Sequence, residues 1–179
     1  MHPTAYNNAQ KFYDKYCENG IENKRILDIG SYDVNGTVKP IFAKGDYVGL
    51  DMAEGPNVDI VSESHNINLP NESFDIILST SCFEHDEMFW VTFLEMCRLV
   101  KPGGYIYVNA PSTGPYHGHP GDCWRFYKDS WSALLKWALY NNQSIKLVES
   151  YIDETGNHMQ WNDSVGIFQK LFGESSDIV

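Results

Sequence analysis

Basic residues are scarce: 13 Lys and Arg stand against 24 Asp and Glu, a formal net charge of −11. A chain this acidic lacks a general electrostatic hold on a phosphate backbone or an anionic bilayer, so neither nucleic acid nor membrane is expected as a partner. The only adjacent basic pair, Lys24 with Arg25, opens a strand rather than forming a patch. Long apolar runs are also missing. Nowhere do 18 apolar residues follow one another, and Met1 to Gln10 carry no signal-peptide core. The four cysteines, Cys17, Cys82, Cys97 and Cys123, lie far apart with no C-x-x-C pair, and they read as reduced thiols of a cytoplasmic protein. Repeats, low-complexity tracts and Pro/Gly/Ser-rich linkers are absent, so residues 1–179 read as a single domain.

What is present is a chain able to fold on its own core. Hydrophobic residues make up 42% of it and aromatic residues 14%, and a chain of this length buries about 70% of the surface it exposes unfolded. Short apolar runs alternate with helical patterns, which predicts an α/β protein: a Rossmann-like, doubly wound sheet, mostly parallel, with helices on both faces. A leading helix is expected over Ala5 to Glu18. Strands follow at Arg25 to Ile29, Tyr47 to Asp51, Val58 to Val61, Phe74 to Ser79 and Tyr105 to Asn109. Met88 to Leu99 and Asp129 to Tyr140 read as helices, the first stopped by Lys101-Pro102-Gly103-Gly104 and the second capped by Asp129 or Ser130. Ile145 to Tyr151 and Ser164 to Gln169 complete the sheet. No helix fits between them, so the last strand is expected to be antiparallel.

In such a sheet a ligand binds beyond the carboxyl ends of the strands. Gly30 lets the chain turn sharply off the first strand, and Gly36 permits backbone approach or an unusual dihedral near the next helix. Asp51 ends the second strand about 20 residues later, where a carboxylate accepts hydrogen bonds from ribose hydroxyls. That pairing suits a nicotinamide dinucleotide as well as S-adenosylmethionine.

Several motifs in order carry a family resemblance: Leu27-Asp28-Ile29-Gly30, Gly49-Leu50-Asp51, Asp59 to His65, Leu69-Pro70, Ser73 to Ile77, Glu84-His85 and Leu99 to Gly104. Together they resemble the class I S-adenosylmethionine-dependent methyltransferases, in particular the type 11 group. The resemblance implies that Asp28 and Gly30 lie near the methionine moiety, that Asp51 with Met52 takes the ribose, and that Glu63 and Ser64 border the adenine. Ser31, Tyr32 and Gly36 complete the expected cofactor loop. Tyr32 and Val34 stand where the family's second and third glycines belong, so the loop is expected to take its own path.

The string His117-Gly118-His119-Pro120-Gly121-Asp122-Cys123-Trp124-Arg125-Phe126-Tyr127 resembles a subgroup of the same proteins. His117, His119 and Asp122, with His85 after the fourth strand, are the candidate catalytic residues; Arg125 joins them as an acceptor-site residue. The alternative is an ordered lid in which Arg125 pairs with an internal carboxylate and Trp124 fills the core. The histidine spacing matches no zinc pattern, so no metal is expected. The function expected is methyl transfer to a small-molecule or sugar-containing acceptor. Its competitors are a non-catalytic cofactor-binding module and a nicotinamide-dependent oxidoreductase; the missing G-x-G-x-x-G and the absence of a second substrate domain disfavour the oxidoreductase.

Overall fold

The computed structural model describes residues 3–118, 121–155 and 161–173. Helix α1 spans Pro3–Tyr16, with Pro3 at its first position, where the missing N–H costs nothing. Strand β1, Arg25–Ile29, is followed by a single 3-10 turn, Lys39–Phe42, and then by β2, Asp46–Asp51, and β3, Ile60–Val61. Next come β4 (Phe74–Thr80), α2 (Phe89–Leu99), β5 (Val100–Pro111), α3 (Lys128–Tyr140), β6 (Ile145–Asp153) and β7 (Asp163–Lys170).

The seven strands form one sheet in the order β3-β2-β1-β4-β5-β7-β6. Strands β1 to β5 are parallel, while β7 runs antiparallel to both β5 and β6. The chain winds outward from β1 to β3 on one side and resumes at β4 on the other, which makes the carboxyl ends of β1 and β4 the switch point.

Alternation along the strands sorts the core into two layers. Leu27, Ile29, Ile77, Ile106 and Val108 pack with Phe93, Met96, Trp131 and Leu134 from α2 and α3. Ile26, Ile76, Leu78 and Tyr107 face Phe12 of α1 and Phe42 of the 3-10 turn. Phe12 also lies against Tyr107 and Tyr105, with ring centroids 5.0 and 6.3 Å apart.

Several sequence expectations need correction. No α-helix joins β1 to β2: Pro40 and the short 39–42 segment leave room only for a 3-10 turn, so Gly36 precedes no α-helix. Helix α1 ends at Tyr16, before Glu18, and β3 is two residues rather than four. Lys101 to Gly104 do not separate helix from strand; they form a bulge inside β5, where the register with β4 jumps from Phe74↔Val100 to Ile76↔Tyr105. Tyr127, not Asp129 or Ser130, is the N-cap of α3. Ser130 Oγ still accepts the Tyr127 N–H at 3.0 Å.

Candidate functional site

One side of the crevice starts at Asp28. Its carboxylate projects from β1 onto the α1 layer, is buried, and accepts a hydrogen bond from the Tyr47 hydroxyl of the neighbouring strand. Burial pushes the carboxyl up to about 7; the Tyr47 hydroxyl opposes the shift and the Asp51 charge adds to it. Asp28 Oδ1 has no hydrogen-bond partner among the described residues. Beyond it Gly30, at φ +82°, turns the chain off the strand, and a Cβ there would collide with the Cys82 side chain. The buried Ser31 follows, and its Oγ is also unpartnered among the described residues.

Asp51 terminates β2 with both carboxylate oxygens pointed at backbone. Oδ2 accepts the Tyr32 N–H and Oδ1 the Ala53 N–H, each at 3.1 Å. Each oxygen retains a lone pair. Asn57 ties the loop together, donating from Nδ2 to Ser31 O at 3.0 Å and to Thr37 Oγ1 at 3.1 Å. This is why Gly49, beside Asp28 in the ladder, must lack a side chain: a Cβ would overlap the Asn57 carbonyl oxygen and lie 2.7 Å from Ser31 Oγ. Tyr32 rests its ring where a Cβ of Gly55 would be, so the tyrosine occupies space above the β2 loop. Gly36 donates its N–H to Asp33 Oδ1 at 2.7 Å and is exposed. Met52 is largely exposed beside Asp51, Glu63 is exposed, and Ser64 Oγ lies in hydrogen-bond contact with Thr92 Oγ1 at 2.8 Å.

The residues beyond β4 and β5 form a second cluster. Glu84 is buried, its carboxyl raised to about 8 by that burial, and its Oε2 has no partner among the described residues. His85 Nδ1 faces the Gly121 carbonyl oxygen, and its Nε2 lies 3.3 Å from Nε2 of His117. His117 in turn presents Nδ1 to Asp122 Oδ2 at 3.0 Å. Asp122 is saturated: Arg125 grips both of its oxygens and the His117 N–H donates to Oδ2, which holds its carboxyl well below the usual range. Arg125 Nη2 also donates to Pro115 O at 2.9 Å, tying both ends of the loop together.

Of the two readings of this loop, the internal ion pair is present and the core tryptophan is not. Trp124 remains 37% exposed, donating Nε1 to Asp86 O, and Phe126 is the aromatic residue that enters the core, stacked on Trp131 at 5.2 Å. His119 lies outside the described residues. Sequence reasoning missed Asp86, which receives His65 at 2.7 Å, Thr92 Oγ1 and the Met88 N–H. It also missed Tyr47 and Asn57; no short motif contains them, because they reach the site across strands.

Buried polar atoms without a partner among the described residues therefore gather at one edge of the sheet. Ser79 Oγ and Thr80 Oγ1 at the end of β4 join Asp28, Ser31 and Glu84 there. An open sheet with this strand order, an antiparallel seventh strand and polar groups at its switch point is the fold of class I methyltransferases. Residues 36–108 match the family model described as a methyltransferase domain. Among curated relatives, the probable pectin methyltransferase QUA2 of Arabidopsis thaliana is 29% identical over 149 residues, covering 75% of this chain and 21% of its own length. The chain thus spans about a fifth of that relative. Among solved structures, the 1,6-didemethyltoxoflavin-N1-methyltransferase of Burkholderia thailandensis, with bound S-adenosylhomocysteine, superposes with a TM-score of 0.71 at 15% identity. It covers 93% of this chain and 78% of its own. The [4+2]-cyclase SpnF superposes at 0.68 with 10% identity, covering 94% and 82%. A cyclase on the same frame means that the fold alone does not specify the reaction.

Proposed function

We propose that this chain binds S-adenosylmethionine at the carboxyl ends of β1 and β2 and transfers its methyl group to a small-molecule or sugar-containing acceptor. The observation that carries this reading is the Asp28–Ser31–Asp51 arrangement. Two buried oxygens, Asp28 Oδ1 and Ser31 Oγ, have no partner among the described residues and lie next to a strand-end carboxylate held by two backbone N–H groups. These groups suit the cofactor: an ammonium for Asp28, ribose hydroxyls for Asp51, and a polar edge from Glu63 and Ser64 for the base. When bound, the cofactor supplies an electrophilic methyl group on a sulfonium.

The chain's own residues orient the partners and accept a proton where the acceptor must lose one. Asp122 orients His117, and His85 with His117 presents ring nitrogens beyond β4 and β5. His119 belongs to the same loop in sequence. A sugar-containing acceptor is supported by the likeness to a probable pectin methyltransferase. The acidic surface argues against nucleic acid, and no helix among the described residues is long and apolar enough to cross a membrane. Four free cysteines fit the reducing cytoplasm, and the single sheet fits one domain over residues 1–179.

Calorimetric titration with S-adenosylhomocysteine and NAD tests the cofactor assignment. Heat from the first and none from the second is expected, and the reverse would replace this reading with the oxidoreductase. Asp51→Ala is expected to weaken S-adenosylhomocysteine at least about tenfold, the value of one charge-assisted hydrogen bond. Transfer of labelled methyl into hydroxylated small molecules and oligosaccharides separates an enzyme from a binding module.

A further inference from the structure

We propose that Glu84, His85 and His117 form a binding site for a divalent transition-metal ion of the zinc class, open to an oxygen ligand at the acceptor edge. The argument begins with the hydrogens on the two rings. His85 Nδ1 faces the Gly121 carbonyl oxygen, which only accepts. His117 Nδ1 faces Asp122 Oδ2 at 3.0 Å, an oxygen that already accepts from Arg125 Nη2 and from the His117 N–H. Each Nδ1 must carry its hydrogen, so each neutral ring presents a lone pair at Nε2. Those lone pairs face each other across 3.3 Å. Two acceptors that close are joined by a metal ion or by a shared proton, and the spacing and the third ligand favour the metal.

The spacing suits a metal. With metal–nitrogen bonds of about 2.0–2.1 Å, two nitrogens 3.3 Å apart subtend about 107° at the ion, near the tetrahedral angle. Glu84 Oε1 lies 3.7 Å from His85 Nε2, and one ligand atom from each of the three residues falls within 4.8 Å of the others. Ligand atoms around one tetrahedral ion lie about 3.4 Å apart, so loading draws the carboxylate inward by up to about 1.4 Å. Glu84 is 2% exposed and its other oxygen is unpartnered among the described residues, so a cation also resolves a buried orphan. Both rings already have the outer support that metal-bound histidines use, a carbonyl on one Nδ1 and a carboxylate on the other.

Two nitrogens and one oxygen leave a fourth position free, as catalytic rather than structural sites do. Only the use of that position to hold an acceptor oxygen rests on the methyl-transfer reading.

The test is direct. Chelator-treated protein is loaded with Zn2+, freed of excess by gel filtration, and assayed for metal content; a parallel Co2+ sample is examined by visible absorption. One ion per chain is expected, with four-coordinate Co2+ bands. His117→Ala, on an exposed loop, is expected to weaken Zn2+ at least about tenfold, and Asp122→Asn by about 10–100-fold through the ring it orients. Cys123→Ser should change nothing. No stoichiometric Zn2+ on the folded wild type, retention indifferent to His117→Ala, or loss on Cys123→Ser would each overturn the proposal; in the first case the rings share a proton instead. S-adenosylhomocysteine titrated into the same samples keeps the two claims apart. Binding of it without metal overturns the metal site alone, and metal without it overturns the cofactor reading alone.

Discussion

Replacing Asp28 with Asn should make this protein more stable, and more so as the pH rises. The folded chain holds the Asp28 carboxyl at about 7 against an ordinary 3.8, chiefly because the group is buried under the α1 layer. Between those two values the folded state keeps a proton that the unfolded state has released. Wild-type stability therefore falls as pH climbs through that window, and the loss is complete above about 7. At about 1.4 kcal/mol per pH unit, the full difference is roughly 4 kcal/mol, an upper figure for a site that water can partly reach. Asparagine has nearly the same shape, still accepts from Tyr47 and never ionises. The variant-minus-wild-type difference should already be rising at pH 4, grow steadily to pH 7, and level off by pH 8, where it corresponds to about 10 °C in Tm for a chain of this length. Thermal unfolding of both proteins at matched ionic strength from pH 4 to 8 measures it. A difference independent of pH would show that the Asp28 carboxyl is ionised at little cost, and the burial argument would fail. The same variant should bind S-adenosylhomocysteine more weakly, so stability and cofactor affinity move in opposite directions.

Other outcomes follow from single contacts. Gly49→Ala places a Cβ against the backbone carbonyl of Asn57, which cannot give as a side-chain tip would; a loss of about 1–3 kcal/mol or more in chemical denaturation is expected, with S-adenosylhomocysteine binding weakened because the Ser31 loop shifts too. Ser164→Ala strands the buried Trp131 Nε1–H, now 2.8 Å from the serine hydroxyl, and should cost about 1–3 kcal/mol by denaturant titration. Replacing Trp131 itself with Ala removes the ring that stacks on Phe126 and lies against Gly166, and a loss of about 3–5 kcal/mol is expected in the same assay.

The strands, their parallel arrangement and the two long helices after β4 and β5 were legible in the sequence because apolar periodicity reports which face of a segment is buried. Gly30 and Asp51 were legible for a related reason: a strand end followed by a turn is a local event, and both residues lie where that event occurs. Sequence patterning alone also suggested the antiparallel final strand, from the missing helix between Tyr151 and Ser164.

What the tertiary structure alone decided is which residues meet. Tyr47 reaches Asp28 across 19 residues and Asn57 holds Ser31 across 26, through strand pairing that no short pattern encodes. The insertion of β7 between β5 and β6 depends on register, which is a property of the whole sheet. Spacing along the chain argued against a metal because it counts residues within one loop, whereas Glu84 and His85 belong to the end of β4 and His117 to the loop beyond β5. Side chains more than 30 positions apart become neighbours at 3.3 Å only because parallel strands deliver their carboxyl ends to the same edge.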